Sequence, residues 1–324
     1  MLILALECSA KSASSALLRD GRLLGEEFVS NDKTHSETLL PGAEQLLLKH
    51  NVPLAEIGLF TVTAGPGSFT GLRIGLAAVK GLAFPNRPCL GPSTLEGIAE
   101  PFRGREAEFL GLLGQNGQDG QDGQDGQNGH NSPTDQNCQT GQIVHDGKNI
   151  LNSQTVKKDH SCQNGKDSQN INNVQNNQSV RVGQNTHNSQ DDQNKKNSRG
   201  IKPKGEGLTV CAVMDARGGQ FYNALFCVKG DAVTRLTPDR AIRGDQLAAE
   251  LKKYKNVVAA GDGAAVFCRE YPEFLDSGET QRARYAAQLA YRNQDGALPP
   301  DQLICRYLRR PQAERERLRR LGQE

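Results

Sequence analysis

The pattern of apolar and polar positions at the start of the chain predicts three strands. Residues 2–7 form an apolar run typical of a buried strand, and 14–18 and 23–29 are predicted as two more. Asp20-Gly21 lies between the second and third runs and is a strong signal for a hairpin turn. The chain is therefore predicted to open with an antiparallel meander.

A first amphipathic helix is predicted from His35 to about Lys49, because leucine and alanine recur on one face. Pro41 is expected to lie in its first turn, since proline disrupts a helix interior. His35 itself has no second histidine or carboxylate at ligand spacing, so a structural role is favoured over a role as ligand or base.

Residues 57–63 are predicted as a strand that leads into a helix at 68–83, with Ser68 as the N-cap. A short strand at 88–91 follows, and a capping box at 93–96 opens a third helix. The order β-β-β-α-β-α-β-α predicts an α/β sandwich with a mixed sheet over residues 1–103.

The glycine-bearing turn between strand 57–63 and helix 68–83 has two interpretations. A helix N-terminus can hold an anion, but this turn has neither the lysine of a P-loop nor the glycine spacing of a dinucleotide fingerprint. Gly71 and Gly75 share one helix face, and each helical glycine costs about 0.8–1 kcal/mol relative to alanine. Close helix packing or partner docking is therefore favoured over ligand binding.

The loop after the first strand, which contains Glu7 and Ser9, is small and polar. It could embrace a phosphate, although a plain hairpin connection is favoured. Residues 104–206 then change character: glutamine, asparagine, glycine and aspartate dominate, and almost nothing apolar remains to offset the entropy of ordering. We predict a disordered, low-complexity insertion there.

Regular patterning returns at 207–324, which is predicted as a second lobe with an arginine-rich tail. Asp215 and Asp262 each follow a predicted strand, a position where catalytic and turn-capping carboxylates both occur. For Asp215, a role in capping the turn is favoured. The segment at Asp262 could hold a nucleotide or merely turn the chain. The predicted strands are 208–214, 221–228 and 256–260, the predicted helices are 245–254, 264–270 and 280–291, and the last extended piece is 303–308.

Composition narrows the class of protein. A net charge of +2 implies no global field for nucleic acid, and no apolar run approaches the roughly 20 residues of a membrane span. The first residues lack the basic region of a signal peptide. The eight cysteines form no Cys-x-x-Cys pair, so buried reduced thiols are expected rather than a zinc site.

Several of these motifs resemble the bacterial TsaB (YeaZ) family. The matching segments lie in residues 1–103 and 208–314, and the most specific of them is the glycine-bearing turn. The segments are LALECS from Leu4, HSETLLP from His35, GPGSFTGLRIG from Gly65, MDAR from Met214, AGDG from Ala260 and YLRRPQAE from Tyr307.

The resemblance implies an actin-like, Hsp70-like ATPase (ASKHA) fold with two RNase H-like lobes. It also implies a cytoplasmic, noncatalytic role in making N6-threonylcarbamoyladenosine at position 37 of tRNAs that read codons beginning with A. In this view the chain pairs with TsaD, which holds ATP and a metal ion, and the ATPase TsaE joins the complex. A homodimer is possible for the chain alone, and tRNA contact is expected through the complex.

The resemblance also assigns residues. The family interface is a helix bundle that maps by position onto the first two helices. We predict that its contacts include His35, Leu39, Leu46, Gly71, Gly75, Ala78 and Val79. Glu7, Ser9, Asp215 and Asp262 are weak candidates for cofactor binding. Glu7 stands where the family commonly has aspartate, and Leu39 follows His35 where TsaD has a second metal-binding histidine.

Two alternatives to a scaffold subunit stay open. The chain could be an enzyme, either a free-standing ATPase or a metallopeptidase of the kind suggested by the older glycoprotease label of this superfamily. It could also be an interaction hub that works through residues 104–206.

Overall fold

The computed structural model describes residues 1–30, 34–116, 207–309, 317 and 319–322. The fold is built around two β-sheets, each covered by helices. The predicted low-complexity segment lies outside the described residues from 117 to 206.

The first sheet has five strands in the order β3-β2-β1-β4-β5. The β1-β2-β3 meander is antiparallel, as predicted, whereas β4 pairs parallel with β1, and β5 pairs parallel with β4. Asp20 and Gly21 adopt positive φ values of 49° and 79° in the predicted turn. The strands are β1 Leu2–Glu7, β2 Ala13–Arg19, β3 Arg22–Val29, β4 Ile57–Val62 and β5 Cys89–Leu90.

Helices α1 (His35–Lys49) and α2 (Phe69–Ala83) cover one face of this sheet. Thr34 begins α1 with a capping box to Glu37. The helix begins at His35 as predicted, but the expectation for Pro41 was wrong, because it lies six residues beyond His35, inside the helix. Ser68 caps α2 as predicted, and its Oγ accepts a hydrogen bond of 3.3 Å from the Gly71 amide.

The second sheet has six strands, in the order β11-β10-β6-β7-β8, with β9 also paired to β7. Strands β6 and β7 form an antiparallel hairpin, and β10 pairs parallel with β6. Three short strands, β8, β9 and β11, were not predicted. The strands are β6 Leu208–Asp215, β7 Gln220–Lys229, β8 Ala232–Arg235, β9 Arg240–Arg243, β10 Val257–Ala260 and β11 Leu275–Asp276.

Some of the remaining helices pack on the sheet formed by the other half of the chain, so the two lobes do not separate at residue 103. Helices α3 (Thr94–Ala99) and α4 (Glu106–Asn116) pack on the second sheet, whereas α7 (Ala283–Arg292) packs on the open face of the first. Helices α5 (Gly244–Leu251) and α6 (Ala264–Glu270) cover the other face of the second sheet. Each sheet is therefore completed by a segment from the other half of the chain.

Helix α4 corrects the predicted start of the insertion at Gly104. Phe109 is buried, and its ring centroid lies 4.5 Å from that of Phe102. The four apolar residues at 109–113 were too few to outweigh the polar composition that follows them. The predicted α/β fold class is confirmed, because the structure has two mixed sheets with helices on their faces. Within the described residues, no helix is both long and apolar enough to cross a membrane.

Candidate functional site

A cleft of about 540 Å³ lies where loops from the two sheets face each other. The loop after β1 and the start of α2 form one wall, and the turns after β6 and β10 form another. Three of the four weak candidates for cofactor binding, Ser9, Asp215 and Asp262, line this cleft together with His35. The structure therefore brings together residues that are up to 253 positions apart in the sequence.

The glycine-bearing turn packs tightly against the loop after β1. The Ser68 amide donates a 2.6 Å hydrogen bond to the Ser9 carbonyl oxygen. A Cβ atom on Gly67 would lie 2.5 Å from the same oxygen, and one on Gly71 would collide with the carbonyl oxygen of Cys8. These contacts support the close-packing interpretation of the glycines, and the partner in that packing is this chain itself.

Most of the residues predicted for a partner interface are therefore not available to a partner. Leu39, Leu46, Gly71, Gly75 and Val79 are buried in the core beneath α1 and α2. Ala78 and His35 are half-buried. The prediction selected the face of each helix that carries apolar and small side chains. In both helices that face packs on the first sheet.

His35 has a structural contact that its sequence context did not reveal. Its Nε2 donates a 2.8 Å hydrogen bond to the carbonyl oxygen of Ala10. The bond ties the start of α1 to the loop after β1, which agrees with the structural role favoured from the sequence.

Glu7 ends β1 behind the cleft wall and is 1% exposed. Burial raises the pKa of its carboxyl group, and the hydrogen bond that Oε1 accepts from the Ser9 amide, at 2.7 Å, opposes that shift. The neighbouring Ser9 and Thr63 side chains also oppose the rise in the pKa of the carboxyl group. A buried carboxyl group of this kind favours its protonated form.

Asp215 and Asp262 stand on the wall formed by the second sheet. Asp215 Oδ1 accepts a 2.7 Å hydrogen bond from the Arg217 amide, which agrees with the favoured role as a turn cap. Asp262 is solvent-accessible but lies in the concave cleft, where lost hydration raises its pKa to about 6. The Gln281 side chain opposes this shift, and the negative charge of Asp215 adds to it.

The segment at 307–309 forms a cleft wall that the sequence did not predict. The Tyr307 ring lies 4.9 Å from the Phe69 ring, and its hydroxyl group accepts a 3.2 Å hydrogen bond from Arg73. The Arg309 guanidinium donates a 2.5 Å hydrogen bond to the Ala216 carbonyl oxygen. The arginine-rich composition of this region was visible, but its route across the start of α2 depends on tertiary contacts.

Metal-ligating side chains are dispersed in the described part of the chain, where no group of three or more His, Cys, Asp or Glu residues could hold a metal ion. The six cysteines there are free thiols, as expected. Burial raises the pKa of Cys89 to about 11 and that of Cys268 to about 12, which keeps both thiols protonated. Cys138 and Cys162 lie outside the described residues.

Comparisons with known proteins point to one pathway. A family model described as "TsaD: tRNA N6-adenosine threonylcarbamoyltransferase" matches residues 23–113. The "tRNA threonylcarbamoyladenosine biosynthesis protein TsaB" of Escherichia coli (strain K12) is 35% identical over 101 residues, which cover 31% of this chain and 43% of that protein. The protein of the same name from Bacillus subtilis (strain 168) is 34% identical over 100 residues, which cover 31% of this chain and 44% of that protein.

The chain thus spans less than half the length of these curated relatives. A solved structure, "YeaZ from Pseudomonas aeruginosa", superposes with a TM-score of 0.56 at 18% identity and covers 95% of this chain and 99% of that one. At this identity the superposition shows a shared fold.

Proposed function

We propose that this chain, as a member of the TsaB (YeaZ) family, takes part in forming threonylcarbamoyladenosine in tRNA. The curated TsaB matches and the YeaZ superposition support the family. We further propose that the chain acts as a noncatalytic subunit that pairs with a TsaD-type protein. TsaE would join that complex, and the complex would meet tRNA in the cytoplasm.

The observation that carries the pairing is the outward surface of α1 and α2. Leu40 and Leu48 on α1 are 44% and 69% exposed, and both lie outside the buried stripe of the helix. On α2, Phe84 follows the last turn and is 75% exposed. Exposed large apolar side chains on neighbouring helices are candidates for a docking site.

Small residues continue this surface along α2. Ala77 is exposed, and a Cβ atom on Gly81 would meet nothing within 4 Å. A helix of a partner could therefore approach the α2 backbone closely at these two positions. We still propose α1 and α2 as the partner interface. The residues that contact the partner are now the exposed ones of these helices, instead of the buried ones predicted from the resemblance.

The noncatalytic role rests on the ligands that the sequence offers. Leu39 stands four residues after His35, where a second histidine would be needed to present a metal-binding pair on one helix face. Leu39 is also 2% exposed and packs in the core. We therefore expect the ATP and the metal ion of the reaction to be held by the TsaD-type partner.

A free-standing ATPase is a second candidate, and the carboxyl groups at three strand ends favour it. Glu7, Asp215 and Asp262 end or follow β1, β6 and β10, and the cleft lies beside them. Oxygen ligands of this kind suit a magnesium nucleotide. Turnover of ATP by the isolated chain, lost in Asp215→Ala, would favour this candidate over the subunit role.

The test is reconstitution of tRNA modification from purified proteins of one organism. We expect the TsaD-type protein with TsaE to form little threonylcarbamoyladenosine until the full-length chain is added, and the chain alone to form none. Leu48→Glu should abolish the stimulation. Leu112→Glu is the matched control, because Leu112 is 43% exposed on α4, away from the proposed surface. Equal modification with and without the chain would refute the proposal.

A further inference from the structure

We propose that the rim of the cleft beside the start of α2 is a contact surface for RNA, on which an unpaired base stacks. This surface, the RNA platform, consists of Phe69, Arg73, Arg306 and Tyr307. Phe69 and Tyr307 line the cleft, whereas Arg73 and Arg306 lie outside its lining. Such a contact rests on the proposed function, because the RNA would be the tRNA that the complex modifies.

Two aromatic rings and one guanidinium group form the centre of the RNA platform. The Arg73 guanidinium carbon lies 3.8 Å from the centroid of the Phe69 ring, and the centroids of Phe69 and Tyr307 are 4.9 Å apart. Arg73 Nε also donates a 3.2 Å hydrogen bond to the Tyr307 hydroxyl group. Tyr307 is nevertheless 39% exposed, and Arg73 is exposed as well. Proteins stack unpaired RNA bases on aromatic rings and guanidinium planes of this kind.

Arg73 differs from the other arginines that lie over aromatic rings, because no carboxylate neutralises it. Of the six such arginines in the described part of the chain, four pair with glutamate or aspartate: Arg105, Arg235, Arg282 and Arg284. Arg87 is half-buried and donates to the carbonyl oxygens of Leu54 and Leu82. Within the described residues, Arg73 alone is both exposed and without a carboxylate partner, so its charge is available to a phosphate group.

The two segments that form the RNA platform carry cations and no carboxylate. Helix α2 contains Arg73 and Lys80, and the segment 303–309 contains Arg306 and Arg309. Arg306 is exposed, and its side chain has no partner among the described residues. Phosphate groups of RNA accept charge-assisted hydrogen bonds from such arginines. An acidic protein would also suit the charge, but exposed rings beside basic side chains are the combination found in single-strand RNA sites.

Backbone contacts hold the segment that carries Tyr307 on both sides of the ring. On one side, the Arg306 amide donates a 2.7 Å hydrogen bond to the Ala64 carbonyl oxygen. On the other, the Arg309 guanidinium donates a 2.5 Å hydrogen bond to the Ala216 carbonyl oxygen. The RNA platform is therefore ordered before RNA binds, which lowers the entropic cost of binding.

The position of the RNA platform is compatible with the proposed docking surface. Ala77 of that surface lies one helical turn beyond Arg73 on α2, and Phe84 lies at the far end of the helix. RNA on the platform would therefore lie beside a TsaD-type partner on α1 and α2. The substrate would then be close to the protein that we expect to hold the ATP and the metal ion.

The experiment is fluorescence anisotropy of the full-length chain with a labelled RNA hairpin that has an unpaired loop and, separately, with a blunt RNA duplex of equal length. We expect the hairpin to bind more tightly, because paired bases cannot stack on a protein ring. Tyr307→Ala should weaken hairpin binding about tenfold, and Tyr307→Phe should weaken it less because the ring remains. Phe28→Ala is the matched control: Phe28 is 38% exposed under Arg282, which pairs with Glu26, and it should bind RNA as the wild type does.

The salt dependence of binding separates stacking from charge. Arg306→Gln should reduce the slope of log Kd against log salt concentration by about 0.7, the share of one phosphate of a single strand. Tyr307→Phe should leave the slope unchanged. Because the Arg306 side chain has no partner among the described residues, Arg306→Gln should melt at the temperature of the wild type, so its loss of affinity cannot come from unfolding.

Three results would overturn the RNA platform: no binding of the hairpin, equal binding of hairpin and duplex, or hairpin binding that neither Tyr307→Ala nor Arg306→Gln weakens. These measurements contain no TsaD-type protein. Failure to bind RNA would therefore leave the proposed subunit role intact, whereas that role fails only if the chain neither binds the TsaD-type protein nor stimulates modification.

Discussion

Gly75 lies directly over Cys8, so that a Cβ atom on the glycine would come 2.5 Å from the cysteine Sγ. The same atom would lie 2.9 Å from Val62 Cγ2. Helix α2 can therefore approach β1 and β4 only because this position carries no side chain. The glycines that suggested a partner interface instead close the core of the first sheet.

This contact predicts opposite effects for two glycines of one helix. Gly75→Ala should lower the free energy of unfolding by about 1–3 kcal/mol through overpacking. Gly81→Ala should raise it by about 0.5–1 kcal/mol, because Gly81 faces open space and alanine is the better helix former. Urea unfolding of both variants gives the measurement. Equal effects of the two substitutions would contradict the proposed packing of α2.

A buried carboxylate joins the segment after α3 to α7. The Glu100 side chain is 1% exposed and pairs with Arg103 at 3.0 Å and with Arg292. Glu100→Gln should lower the free energy of unfolding by about 1–3 kcal/mol, since the partners of a buried group lose a charged acceptor. Glu108→Gln, which removes an exposed pair with Arg105, should change it little. If the two variants unfolded alike, Glu100 would not be a structural link.

Asp262 predicts a pH dependence of stability. Its pKa is raised to about 6 in the folded chain and is near 4 when unfolded, so the folded state binds more protons between these values. This group therefore lowers stability as pH rises from about 4 to 6, and the loss is complete above 6. Asp262→Asn should raise the melting temperature more at pH 7.5 than at pH 4. An equal rise in melting temperature at both pH values would show that folding does not shift the pKa of Asp262.

The start of the insertion predicts a pair of deletions with different outcomes. Helix α4 starts, and residue 207 lies, beside the same turn between β7 and β8: the Gly104 amide bonds to the Gly230 carbonyl oxygen, and Gly207 lies against Lys229. Replacing residues 117–206 with a short glycine-serine linker should therefore preserve a cooperative melt. Extending the deletion to residue 106 removes Phe109 from the core and should lower the melting temperature strongly. Equal melting of both deletions would place the boundary elsewhere.

The sequence predicted the elements best where local signals agree. The meander with its Asp20-Gly21 turn and the caps at Ser68 and Ser93 were all recognised from neighbouring residues. The place of Pro41 in α1 was predicted wrongly, because proline favours the first turn of a helix and here lies beyond it. Short strands such as β8 carry too few residues for a periodic pattern.

The candidate site was predicted in part. Ser9, Asp215 and Asp262 were singled out by their places after strands, and the fold brings them to one cleft. Arg309 was not, because its contact with Ala216 joins positions 93 residues apart. The residues predicted for a partner interface on α2 lie mostly on its buried face, since burial against the chain's own sheet and burial against a partner leave the same small-residue pattern.

The subunit role is tested by the affinity of the full-length chain for the TsaD-type protein of the same organism, measured by biolayer interferometry. Leu48→Glu and Ala77→Glu should each raise the Kd at least about tenfold, because a charge would be buried in an apolar contact. Leu112→Glu should leave the Kd unchanged. The proposal therefore predicts weaker binding for the substitutions on α1 and α2 and unchanged binding for the substitution on α4. No binding by the wild-type chain, or equal Kd values for all three variants, would contradict it.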